Sequence, residues 1–197
     1  GINSRAKQQG VKKFIQKLNL DCCVILENKL DKDKMVKVKN YFMPQSWCYL
    51  DNFEFHDNGR IIICWNPVKA SIKKVNANAQ VLNVRVCTGS MSFLLSAIYG
   101  WHNTKDREPL WTSHLDCFMH CKDPWLIGGD FNCLAHMSDK INGQKVLPKD
   151  TTELESFFET TNFFDHVYSA LHYTWSDRHS VSPIFCKLDT IIVNHVD

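Results

Sequence analysis

Over residues 4–18 the apolar positions Val11, Phe14, Ile15 and Leu18 recur at helical spacing, with Lys12, Lys13 and Lys17 between them. The spacing predicts an amphipathic helix. Residues 20–27 (LDCCVILE) form a short, nearly continuous apolar run, the pattern of a strand covered on both faces. DKDKMVKVKNYF, just after it, predicts a surface helix. From Trp47 the texture changes to strands: WCYLDNF, RIIICWN, QVLNVRVCT and MSFLLSAIYG, with Asp57-Asn58-Gly59 as a turn signal before the second. Helical spacing returns over 105–121 through Leu110, Trp111, His114, Leu115 and Phe118. Residues 125–127 read as a strand and 133–150 as a long loop, while 151–162 read as a helix with Leu154, Phe157 and Phe158 on one face. HYTWSD and FCKLDTIIVN predict two last strands. Strands outnumber helices and helices flank both halves. The expected class is α/β, a layered β-sandwich with flanking helices, in one domain over 1–197.

Composition adds limits rather than detail. No apolar run approaches the ~20 residues of a membrane span, and no charged-then-apolar signal segment opens the chain. It begins Gly-Ile-Asn, without an initiator Met, which predicts a processed, excised or fragmentary chain. The nine Cys are odd in number and irregular in spacing. Cys22, Cys64 and Cys87 sit in apolar strand-like runs, where a thiol behaves as a small hydrophobe, so a reducing compartment without disulfides is expected. The net charge of +2 hides an asymmetry: ten Lys/Arg against four Asp/Glu through Asn40 give +6, and 13 against 17 beyond it give −4. A basic N-terminal third attracts phosphate backbones, although a solvated helix face accounts for the same charge.

Three acidic residues stand where apolar strands end: Glu27 after CCVIL, Asp130 after WLIGG, and Asp189 within CKLDTIIV. Layered α/β folds gather their sites at strand ends, and converging carboxylates suit a hard cation, Mg²⁺ or Mn²⁺. In extended chain the side chains of Asp130 and Asn132, two apart, point the same way. Gly128 and Gly129 leave room for close backbone approach. A carboxylate beside an amide can activate a water and hold a phosphoryl oxygen, as metal-assisted phosphodiester cleavage requires. Taken singly, each of these acids has an ordinary structural reading, since an Asp at a strand end commonly accepts backbone N–H groups.

LENK (26–29), SAIYG (96–100), GGDFN (128–132), YTWS (173–176) and KLDTIIVN (187–194) occur in the order and spacing of the endonuclease/exonuclease/phosphatase superfamily. That is the DNase I-like fold of the apurinic/apyrimidinic endonucleases. GINSRAKQQGVKKFIQK, PWLIGGDFN, DKINGQ and YTWSDR resemble in particular the endonuclease domain of plant LINE-type, non-LTR retrotransposons. The resemblance covers essentially the whole chain. It implies that Glu27 ligates a Mg²⁺ (or Mn²⁺) on the scissile phosphate, that Asp130 orients or deprotonates the attacking water, and that Asn132 hydrogen-bonds the phosphate. Tyr99 would donate to a phosphate oxygen, and Asp189 would orient a catalytic His from the last strand. Trp175 would lie near the DNA groove. His102 falls where some relatives carry a DNA-contacting Asn, and Asn103 adjoins it. Arg178 and His179, in the loop after YTWS, are further candidates for DNA contact.

The chain also departs from the family pattern. A first strand with a Trp-Asn pair and a last strand with a Ser-Asp-His tripeptide are not matched, so a domain lacking both is expected. Asn28 stands where the family has Thr, and Lys187 where it has Arg. His195 comes too soon after Asp189 to replace the terminal His. The resemblance therefore implies a DNA endonuclease of retrotransposon type. DNA would be its partner and no membrane is involved. Nuclear location, and a reverse transcriptase in the parent polyprotein, are implied with it. Two alternatives stay open: a phosphatase of inositol phosphates or lipids with the same metal site, and a non-catalytic remnant that binds nucleic acid or nothing. His114, Cys117, His120 and Cys121 lie at i, i+3, i+6 and i+7 of one predicted helix, and such a set reads as packing rather than a tetrahedral zinc site. The six Trp and twelve Phe fall mostly in periodic apolar positions and are expected in the core.

Overall fold

The computed structural model describes residues 1–56, 60–120, 122–166 and 171–194, and divides into two units, Gly1–Tyr99 and Gly100–Asp197. The predicted turn at Asp57-Asn58-Gly59, Cys121 and His195 lie outside the described residues.

In the first unit, helix α1 (Arg5–Lys17) starts where the Ser4 hydroxyl accepts from the Lys7 N–H. Its buried stripe keeps only half of the predicted one. Gln8 and Ile15 are buried with Val11 half-buried, whereas Phe14 and Leu18 are 56% and 50% exposed. Gln8 tolerates burial because its Nε2 donates to the Ile2 carbonyl at 3.0 Å. Strand β1 (Cys22–Leu26) leads to helix α2 (Lys32–Phe42), capped by the Asp31 carboxylate on the Lys34 N–H at 2.8 Å. Strands β2 (Cys48–Asp51) and β3 (Ile61–Trp65) complete an antiparallel sheet in the order β1-β3-β2. All five β3 residues are buried, and their alternation serves two cores. Ile62 and Cys64 pack with Ile15, Met35 and Phe42 of the helices. Ile61, Ile63 and Trp65 pack instead with Ile72, Leu82, Val84 and Ala97, from a meander of β4 (Ser71–Ala77), β5 (Val81–Thr88) and β6 (Met91–Tyr99). The result is helices, sheet and second sheet in layers. Strand β1 contributes to both cores, as its apolar run requires, yet Ile25 alone is fully buried because β1 is the outer strand of its sheet. Strand β4 was not predicted. Its pattern is mostly polar, and its pairing with β5 shifts register between Lys74 and Asn76.

The second unit carries helix α3 (Thr104–His120), β7 (Trp125–Asp130), β8 (Lys140–Ile141), α4 (Thr152–Thr161), β9 (Phe164–Asp165), β10 (Trp175–Ser176), β11 (Phe185–Cys186) and β12 (Asp189–Val193). Strand β12 pairs antiparallel with β7 and β9, and β11 with β10 and β8. FCKLDTIIVN is therefore two strands of two sheets. The break is fixed by Lys187, which is buried, gives its N–H to the Asp139 carbonyl at 2.8 Å and pairs its ammonium with Asp165. HYTWSD shrinks to the two residues of β10. Within the predicted loop, Asp139 is buried and its Oδ2 accepts from the N–H groups of Ala135 and His136. The core is aromatic: Trp125, Phe157 and Phe163 have ring centroids 5.6–5.7 Å apart along the chain of contacts. His114 belongs to it, stacked on Trp125 at 5.8 Å. Among the described residues no helix is long and apolar enough to cross a membrane.

Candidate active site

Strand β7 ends as it does because its sequence changes character after Ile127. Trp125 and Ile127 are buried. Gly128 lies against Ile191, whose Cγ1 would stand 3.4 Å from an added Cβ. Gly129 has φ 145°, where side chains are strained. Asp130 follows. The register sets Asp130 opposite Asp189, Gly129 opposite Thr190 and Gly128 opposite Ile191. Directly opposed residues of an antiparallel pair have Cβ atoms about 4.5–5.5 Å apart on one face, and like charges so placed repel. The fold thus sets two of the three predicted carboxylate residues directly opposite each other at the strand end. The Asp189 carboxylate is exposed and has no hydrogen-bond or ion-pair partner among the described residues. Its backbone N–H, and that of Leu188, are held by the Thr174 hydroxyl at 3.0 and 3.1 Å.

Asn132 reaches the same strand end by another route than the one predicted. It has φ 51°, so the chain turns there and the extended i, i+2 alignment with Asp130 does not hold. The turn is fixed by Asp130 Oδ1 accepting from the Asn132 N–H at 3.0 Å, and by Phe131 N–H donating to the Leu188 carbonyl at 2.9 Å. Gly100 closes the assembly. Its N–H donates to the Asp130 carbonyl at 2.8 Å, and its carbonyl accepts from Asn132 Nδ2 at 2.8 Å. A side chain at Gly100 would place its Cβ 2.5 Å from the Phe131 carbonyl oxygen, so glycine is required by the close approach of two backbones. One amide N–H of Asn132 is used in this way, and among the described residues its second N–H and Oδ1 have no hydrogen-bond partner and can face a ligand.

In the first unit, Glu27 follows β1 with its carboxylate exposed and paired with Lys29 Nζ at 2.8 Å. Glu27 and Lys29 both have positive φ (49° and 57°), a costly backbone for residues with side chains. The buried Asn28 between them pins the turn, its Oδ1 accepting from the Leu30 N–H at 2.9 Å. Tyr99 ends β6, is 9% exposed, and has the Arg60 guanidinium 4.2 Å from its ring centroid.

Of the predicted DNA contacts, Trp175 is 46% exposed on β10. Arg178 is exposed, with φ 58°. Its loop is tied down by Asp177, whose Oδ1 accepts from the N–H groups of His179 and Ile184, both at 3.0 Å. Those backbone bonds hold the Asp177 carboxyl below its ordinary range. His102 and Asn103 are exposed ahead of α3, but the Asn103 Oδ1 accepts from the Lys105 N–H at 3.0 Å and so caps the helix. The residues that the sequence did not announce are Gly100 and Thr174, both inside quoted motifs yet acting through backbone contacts that no spacing displays.

Scanned against family models the chain matches none, and it matches no curated protein. Solved structures do match. The endonuclease domain of TRAS1, a telomere-specific non-LTR retrotransposon, aligns at TM-score 0.69 and 9% identity, over 95% of this chain and 80% of that one. The AP endonuclease LMAP from Leishmania major aligns at TM-score 0.73 and 13% identity, over 98% and 76%. TDP2 of D. rerio, in complex with a single-strand DNA product, aligns at 0.67 and 11%, over 96% and 77%. The fold is DNase I-like.

On this DNase I-like frame the candidate donors are all carboxylate and amide oxygens, a set suited to Mg²⁺ or Mn²⁺ rather than to thiophilic metals. The opposed Asp130 and Asp189 of the second unit, and by itself the exposed carboxylate of Glu27 in the first, offer oxygen donors of that kind. The zinc reading of α3 finds no support in His114. That imidazole is buried, its Nδ1 lies 2.8 Å from the Leu110 carbonyl, and burial pushes its pKa down to about 4.

Proposed function

We propose that this chain is a metal-dependent phosphodiesterase that cleaves DNA, an endonuclease of the retrotransposon type. The reading is carried by the Asp130–Asp189 opposition at the end of β7, with the amide of Asn132 held beside it. Support comes from the DNase I-like fold and from neighbours that are a retrotransposon endonuclease domain and an AP endonuclease.

Each residue has a task set by its chemistry. Asp130 is a carboxylate with its backbone fixed on both sides, suited to orienting the attacking water and accepting its proton. Asn132 presents its second N–H to a phosphoryl oxygen, where a fixed donor stabilises developing charge. Asp189 adds the second carboxylate at the strand end, and the family resemblance gives Tyr99 the task of donating to a phosphate oxygen. Glu27 would hold the divalent ion, which when bound polarises the phosphoryl oxygen and neutralises charge on it. Trp175 offers an apolar face, Arg178 a cation for the backbone, and His102 and Asn103 polar contacts.

Nicking of supercoiled plasmid in Mg²⁺ tests the proposal, beside an Asp130→Ala control and an EDTA lane. Nicking that vanishes in both controls supports it. A chain that melts cooperatively, binds DNA and nicks nothing would leave the non-catalytic reading in its place.

A further inference from the structure

Next to Gly100, the Trp101 carbonyl is held by a largely buried charged cluster. Arg107 and Glu153 are 3% exposed and half-buried respectively. Arg107 Nε donates to Glu153 Oε2 at 3.0 Å and Nη2 to Oε1 at 2.6 Å, a two-pronged pair. Trp111 Nε1 donates to the same Oε2 at 2.8 Å. The remaining guanidinium nitrogen, Nη1, donates to the Trp101 carbonyl, and Nη2 also reaches Thr104 Oγ1 at 3.4 Å. Burial pushes the Glu153 carboxyl up, yet the hydrogen bonds from Arg107 and Trp111 outweigh it and hold it below its ordinary value.

Two routes lead from this cluster to the strand end. The first runs through the backbone: Trp101 adjoins Gly100, which bonds both the Asp130 carbonyl and the Asn132 amide. The second runs through rings. Trp111 stacks on Phe131 at 5.9 Å and 13°, and Phe131 is the residue between Asp130 and Asn132. A buried ion pair adds little net stability over apolar residues of similar volume. Its directional bonds do fix geometry, and displacements near 1 Å at a reacting group cost about 100-fold in rate.

We propose that Arg107 and Glu153 are positioning residues that hold Asp130 and Asn132 in place, through Gly100 on one side and through Trp111 and Phe131 on the other. The inference rests on the proposed endonuclease function, but its geometric half can be read without activity. The variant pair is Arg107→Met/Glu153→Leu, which removes both charges together and avoids a lone buried ion, and Arg107→Lys, which keeps the charge and loses the fork. Each is measured for melting, for kcat and KM on a nicked-plasmid assay, and for hydrogen exchange of the Gly100 amide by NMR. The expected result is near-native melting, kcat down about 100-fold with KM within about threefold, and faster Gly100 exchange. Arg107→Lys should fall between, and it carries the test if the double variant does not fold. Native kcat, or unchanged Gly100 exchange, in a folded variant overturns the inference. If the wild-type chain never cleaves while Gly100 exchange quickens in the variants, the endonuclease reading fails and the positioning contact stands.

Discussion

The imidazole of His114 makes stability depend on pH in a calculable way. It is fully buried, its Nδ1 faces the Leu110 carbonyl at 2.8 Å, and its Nε2 has no hydrogen-bond partner among the described residues. Trp125 and Phe157 pack on its ring. The neutral ring donating from Nδ1 suits this setting and the cation does not, so burial lowers the pKa from 6.5 to about 4. The unfolded chain takes up its proton near 6.5, while the folded chain resists until near 4. Stability is therefore whole above 6.5, is lost as pH falls through that value, and stops falling below about 4. The linkage relation gives a loss of about 2 kcal/mol at pH 5 and about 3 kcal/mol at the acid limit. Urea unfolding of the wild type and of His114→Phe, at pH 7.5 and at pH 5, isolates this contribution. The variant keeps an aromatic ring against Trp125, and every other titrating group cancels in the difference. The wild type should lose about 2 kcal/mol more than the variant between the two pH values. Equal losses, within about 0.5 kcal/mol, would refute the reasoning.

Other expected outcomes follow from the strand-end geometry. Gly100→Ala forces its Cβ against the Phe131 carbonyl and should cost about 1–3 kcal/mol in urea unfolding; an unchanged midpoint would mean that the backbones separate freely. Glu27→Gln should abolish Mg²⁺-dependent nicking and leave the melting temperature unchanged, because the carboxylate and its Lys29 partner are exposed. A drop in melting would assign Glu27 a structural role instead. Arg178→Ala should lower by about one the slope of log K for DNA against log salt. Trp175→Ala should weaken binding with the slope intact. Identical salt slopes in Arg178→Ala and wild type would remove that residue from the phosphate contacts.

Much of the layering could be read from apolar periodicity, because β3, β5 and β6 carry long apolar runs whose alternation matches the cores they join. Asp130 was legible for the same reason, as the first charge after a buried strand. What stayed hidden depends on partners far along the chain. The Arg107–Glu153 pair joins residues 46 apart, and neither looks unusual in its own segment. The split of FCKLDTIIVN depends on Lys187 finding Asp165, in a two-residue strand with no pattern of its own. The orientation of Asn132 was misread because a left-handed residue leaves no trace in side-chain spacing. Phe14 and Leu18 were misplaced since helical periodicity offers two adjacent stripes on α1, and the contact of Gln8 with Ile2 selects the more polar one.

The register shift on β4 bears on how copies of this molecule treat one another. An outermost strand offers a row of N–H and C=O groups on which a second chain can template itself. Here β4 stands at the end of the strand order, with Lys73 exposed along it, Lys74 paired with Glu54, and the pairing offset just beyond them. A second copy aligning with it would have to seat beside those ammonium groups, and would keep its ladder for only a few residues before the offset. The polarity that conceals β4 from a hydrophobic reading is thus what makes it a poor seed for edge-to-edge aggregation.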